Sequence, residues 1–251
     1  MSAAVTGIAA SGAAGSGAGS VVDAGVGGLV AQSMRPLFEP DWIPRNVDRI
    51  LDAAVEHVYL TATSVGLGLL VSLGLAVVAL RWRRSYEPIV QLGGILYTIP
   101  SLAAFALLLP IFGFSAPTVI LPLASYTVLI LVRNIVTGID EVPPEAVEAA
   151  EGMGYRPLRR FLEIELPLAL PVIIAGVRIA TVTVIGLVTV TALLGLGGLG
   201  DFILGGFRGS IIHPTMILTG IVLSVVLAIV ADLVLLGVER ALTPWSRRKA
   251  A

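Results

Sequence analysis

Between Pro88 and Val132 the chain runs for 45 consecutive residues without an Asp, Glu, Lys or Arg. A helix crosses the hydrocarbon core of a bilayer, ~30 Å thick, with about 20 mostly apolar residues, so this gap holds two crossings. The rest of the chain agrees. Of its 251 residues, 56% are hydrophobic and 13% charged, against about 25% charged in soluble domains, and the mean hydropathy is +0.96. The sequence is that of an integral membrane protein.

Five spans are expected, over residues 57–80, 89–112, 116–137, 167–192 and 214–238, each long enough to cross with some tilt. Residues 1–34 are rich in Gly, Ala and Ser and read as a low-complexity tail. The segment 35–56, with Trp42 and Ile43 among charges, reads as interfacial. Threading five spans alternately puts Arg81, Arg83, Arg84, Arg133, Arg156, Arg159, Arg160, Arg240, Arg247, Arg248 and Lys249 on one side. Cytoplasmic loops carry the positive excess, which orients the chain N-out and C-in, with 243–251 a basic cytoplasmic tail. Ser64, Gly68, Ser72 and Ala76 recur every fourth residue and form a small-residue stripe suited to close helix approach.

Counting excludes several chemistries. There is no Cys, hence no thiolate metal site or Cys nucleophile. Lys249 is the only lysine, so no P-loop can form and ATP cannot be hydrolysed by that route. A net charge of −1 gives no basic excess for nucleic acid. Gly195, Gly197 and Gly200 fit a dinucleotide-binding string, but after a membrane span rather than a strand they read as a close-packed turn. His57 and His213, with no second ligand at metal spacing, read as interface residues.

Only one connection is long and charged. Residues 141–165 hold nine charges and open with Pro143-Pro144, a helix start followed by acids that complement the helix dipole. Within it stand Glu148-Ala149-Ala150, three residues, Gly154, nine residues, Ile164, one residue, then Leu166-Pro167. This spacing resembles, position for position, the EAA loop of ABC importer permeases.

The resemblance implies an all-α type I ABC importer permease (MetI-like) with five transmembrane helices in a bacterial inner membrane. It implies no catalysis and no cofactor in this chain, since ATP is bound by a partner. Expected partners are ABC ATPase subunits, a second permease chain (a homodimer mate or a paralogue), an extracytoplasmic substrate-binding protein and the lipid bilayer. In such permeases the EAA helix seats on the ATPase. On that basis Glu148, Ala149, Ala150 and Gly154 are expected ATPase-coupling contacts, with Met153 and Tyr155 as apolar neighbours.

Further stretches are similar to the osmoprotectant branch, which imports glycine betaine, carnitine and choline. They are Tyr97-Thr-Ile-Pro-Ser-Leu-Ala103, Arg133-Asn134 with Thr137-Gly138, Glu165-Leu-Pro-Leu-Ala-Leu-Pro171, Ala175-Gly-Val-Arg178 and Gly197-Gly-Leu-Gly-Asp-Phe-Ile203. The alternatives are the same architecture carrying methionine or phosphonate, and an ATP-independent secondary transporter. Arg178 lies deep in the fourth span and must be paired or hydrated, with Asp232 as candidate counter-ion. Tyr97 and Tyr126 could line a passage, because aromatic faces hold quaternary ammonium groups. All four are candidates for the pathway or for a structural role.

Overall fold

The computed structural model describes residues 36–208 and 211–245. The low-complexity segment 1–34 and residues 246–251 of the basic tail lie outside the described residues. The main helices are α1 (Val47–Arg81), α2 (Tyr86–Thr98), α3 (Ser101–Phe112), α4 (Ala116–Asp140), α5 (Pro144–Gly152), α6 (Leu166–Val188), α7 (Gly200–Phe207) and α8 (Pro214–Leu242). By length and composition α1, α4, α6 with its flanking turns, and α8 can each cross a bilayer, and α2 with α3 supply a fifth crossing if counted together.

α4 lies at the centre. Its Leu131, Val132, Ile135 and Val136 are buried with Ala76 and Ala79 of α1 and with Ala169, Ile173 and Ala180 of α6. Toward the other end, Val119, Leu123 and Tyr126 pack with Leu60, Val65, Phe105, Val184 and Val188. The small-residue stripe of α1 is the seam: Ser64, Gly68, Ser72 and Ala76 are all buried. At Gly68 an added Cβ would meet the Thr127 side chain and come within 2.9 Å of the Ala124 carbonyl. Beyond the seam, the end of α1 is tied to the end of α4 by Arg83, whose guanidinium donates to both carboxylate oxygens of Asp140 at 2.5 and 2.8 Å.

Two boundaries differ from the sequence reading. The first long helix starts at Val47 rather than at residue 57, so the segment 35–56 is only partly a separate element. A single turn at Trp42–Arg45 precedes α1, and Asp48, Arg49, Asp52 and Glu56 belong to its first turns. Helical propensity does not stop where hydropathy does. The expected second span, 89–112, is not one helix: α2 and α3 meet at 90°. Pro100 clashes with a helical residue before it and pushes Ile99 to an extended conformation, at ψ 124°. The Ile99 carbonyl freed by this break accepts from the Tyr126 hydroxyl at 2.8 Å, which satisfies it inside the bundle.

Candidate coupling loop and membrane pathway

Pro144 occupies the first turn of α5, where its missing N–H costs nothing, and Pro143 ahead of it is extended. The helix is amphipathic across its own short length. Val147 is half-buried and Ala150 is 0% exposed, while Glu148, Ala149 and Met153 (66% exposed) face outward. It closes with a Schellman pair: Tyr155 N–H donates to the Ala150 carbonyl at 3.1 Å and Gly154 N–H to the Glu151 carbonyl at 2.9 Å. That pairing needs a left-handed residue, and Gly154 takes it at φ 81°.

The return arm runs through a turn at Pro157–Arg160 and a π-turn at Phe161–Glu165 into α6. Arg160 ties it to α5, donating to Glu165 at 2.6 Å and also to Glu151. Arg159 pairs with Glu163 at 2.9 Å and sits 4.6 Å over the Tyr155 ring. Of the expected coupling residues, Glu148, Ala149, Met153 and Gly154 are exposed and Tyr155 is half-buried under Arg159. Ala150 is the exception. It faces the protein's own interior, because it falls one turn after Val147 on the inner side of α5.

Arg178 and Asp232 come together. The guanidinium of Arg178 on α6 donates from Nε and Nη2 to the two carboxylate oxygens of Asp232 on α8, at 2.8 and 2.9 Å. Its remaining Nη1 donates to Glu239 at 3.2 Å. Glu239 was not among the expected residues. The signal was present, since Asp232 and Glu239 are seven apart and so share one helix face.

Tyr97 and Tyr126 also meet, with centroids 5.9 Å apart and ring planes at 75°. They line a cavity of about 240 Å³ at the α2–α3 break, with Ser101 and Thr183. A second cavity, about 550 Å³, runs along α6 past Ala175, Arg178 and Val182 and is walled by Asp232. Thr183 borders both.

At the far end of α6, the glycine turn is held by His57. This residue is 0% exposed. Its Nε2 donates to the Ile185 carbonyl at 3.1 Å and its Nδ1 accepts from Leu199 N–H at 3.3 Å. An uncharged apolar neighbourhood hides a histidine whose two nitrogens both find backbone partners. His213 accepts from Met216 N–H at 3.4 Å, capping α8, and packs 5.5 Å from the Trp42 ring. Gly198 (φ 44°) lies so close that an added Cβ would come within 2.8 Å of the Ala53 carbonyl and the His57 Cβ. No strand precedes this turn, which follows α6 through a 3-10 helix at Thr189–Leu194.

Residues 63–244 match the family described as binding-protein-dependent transport system inner membrane component. The chain is 38% identical over 203 residues to the choline transport system permease protein OpuBB of Bacillus subtilis (strain 168), covering 81% of this chain and 93% of that one. It is 35% identical over 204 residues to the osmoprotectant import permease protein OsmW of Salmonella typhimurium, covering 79% and 94%. Its fold is similar to a chain of the MetNI methionine ABC transporter in an inward-facing conformation, with TM-score 0.68 and 21% identity over 77% of this chain and 96% of that one. The chain therefore belongs to the inner membrane components of binding-protein-dependent transport systems, an all-helical multi-pass permease family.

Proposed function

We propose that this chain is the permease subunit of an ATP-driven importer for osmoprotectants of the glycine betaine, carnitine and choline type. The observation that carries the mechanism is the build of the 141–165 loop. α5 presents Glu148, Ala149 and Met153 outward, while the Arg160 bridge to Glu151 and Glu165 fixes it to the root of α6. A separate ATPase gripping α5 would therefore move α6 with it. The positive excess on the loop side supports an N-out, C-in orientation. One coupling helix per chain supports a permease pair over an ATPase dimer, with a binding protein on the outer face. Lys249 is the only lysine, which leaves no P-loop in this chain and supports a partner as the site of ATP hydrolysis. The cargo class is supported by the names of relatives at 31–38% identity over about four-fifths of the chain.

The test is reconstitution of the chain with its ATPase and binding protein in proteoliposomes. ATP-dependent uptake of glycine betaine, carnitine or choline is expected. Glu148→Arg and Gly154→Val are expected to abolish it with membrane insertion intact, since one inverts the charge offered to the ATPase and the other forbids the left-handed turn. Uptake of methionine or a phosphonate instead would move the cargo, and full uptake by the chain without an ATPase would overturn the importer reading.

A further inference from the structure

The tyrosine corner and the ion triad are two stations on one wall. Tyr97 and Tyr126 stand nearly perpendicular, 5.9 Å between centroids, and both line the cavity at the α2–α3 break. Tyr126 is buried and packs edge-on against Tyr97, so the ring face open to a cation is that of Tyr97, where the negative face of the ring would hold it. The Tyr126 ring is fixed in place by the hydroxyl bond to Ile99, while Tyr97 is 44% exposed and open to an incoming solute. Ser101 and Thr183 add hydroxyls to the same cavity without a charge. At about 240 Å³ it is smaller than the roughly 300–1,000 Å³ of drug-sized sites, which suits a small solute.

The neighbouring cavity would repel a cation if Arg178 stood alone in it. Instead Arg178 is engaged by Asp232 through both oxygens and by Glu239, so its charge is neutralised within the protein and the wall presents no uncompensated cation. Thr183 joins this cavity to the aromatic one along a single face of α6.

We infer that the Tyr97–Tyr126 corner is a transient intramembrane binding site for the quaternary ammonium group of the transported solute, and that the Arg178–Asp232–Glu239 triad keeps the adjoining stretch of the route free of positive charge. This rests on the importer reading above and adds to it a site within the permease. Tyr97 is the selecting residue. Tyr126 is a positioning residue through its bond to Ile99.

The experiment uses the permease with its ATPase and binding protein in proteoliposomes and measures choline transported per ATP hydrolysed. Tyr97→Leu is expected to lower that ratio about tenfold, with binding-protein-stimulated ATP hydrolysis within about twofold of wild type, because a pathway site does not touch the coupling loop. Tyr97→Phe keeps the ring face and is expected to keep the ratio. Thr183→Leu, on a different helix, fills the shared wall and is expected to lower it as Tyr97→Leu does; it carries the test if Tyr97→Leu does not reach the membrane. An unchanged ratio in the Leu variants, or equal losses in Tyr97→Phe and Tyr97→Leu, overturns the site while leaving the importer reading in place. If the wild-type complex moves no quaternary ammonium solute at all, the importer's cargo assignment itself falls.

Discussion

The Nδ1 of His57 accepts the backbone N–H of Leu199 across 142 positions of sequence, so the start of one long helix holds the glycine turn that follows another. Removing the ring leaves that amide and the Ile185 carbonyl unpaired in a buried place and opens a void. His57→Ala is expected to cost about 2–4 kcal/mol, read as a lower thermal midpoint in detergent. The Leu199 amide should also exchange hydrogen faster. His57→Phe should recover part of the lost midpoint by refilling the volume, but not the protection of Leu199. Unaltered exchange at Leu199 in both variants would mean the turn holds itself.

Two glycines of α1 make a matched pair of predictions. Gly68 abuts Thr127 and Ala124, whereas Gly74 has nothing within 4 Å of an added Cβ. Gly68→Ala is expected to cost about 1–3 kcal/mol by forcing α1 away from α4. Gly74→Ala should be neutral or stabilise by up to about 1 kcal/mol through helix propensity. Equal effects of the two in thermal unfolding would show that the seam is soft.

Around Arg178 the order of midpoints is the prediction. Asp232→Asn leaves the guanidinium with Glu239, whereas Arg178→Gln leaves two carboxylates facing each other. Arg178→Gln should therefore be the less stable, and adding Asp232→Asn to it should restore part of the loss by removing the repulsion. Arg178→Lys should rescue poorly, since an ammonium cannot reproduce the bidentate fork. Additive losses in the double variant would contradict the pairing.

Asp201, at the start of α7, has its carboxyl pushed above the ordinary value of 3.8 by burial, against the pull of Arg208 and Arg49. A carboxyl raised in the folded state favours folding while protonated, fully so below 3.8, and that contribution is lost as pH rises through the raised value. Asp201→Asn, which keeps the uncharged form, is expected to be more stable than wild type at pH 7, with the two converging as the pH falls toward 4. Midpoints measured across that range check it; a variant less stable than wild type at pH 7 would mean the two arginines outweigh burial.

Much of this architecture is readable in the residues, and the exceptions have physical causes. The stripe from Ser64 to Ala76 and the left-handed Gly154 follow from spacing and from the absence of a Cβ, and both are local properties. The 90° break at Pro100 is invisible to hydropathy because both arms are apolar, although the proline marks its place. The inward Ala150 could be found only by assigning a helix face within a nine-residue helix. Phasing from Val147 does so, but a motif match alone treats its three residues alike. His57 is the hardest case. Its partners are backbone groups from two distant segments, and no sequence pattern records a hydrogen bond to a carbonyl.

The run from Pro157 to Leu194 is a nearly unbroken helical strut of 38 residues, about 57 Å long at 1.5 Å per residue. Arg160 bolts one end to α5, and the turn beyond the other end is clamped by His57. A strut of that length is a lever: tilting it by about 5° about the loop end sweeps the glycine turn through roughly 5 Å. The π-turn at Phe161–Glu165 lies near the fulcrum, where a small change in winding has the greatest leverage on the opposite face of the protein.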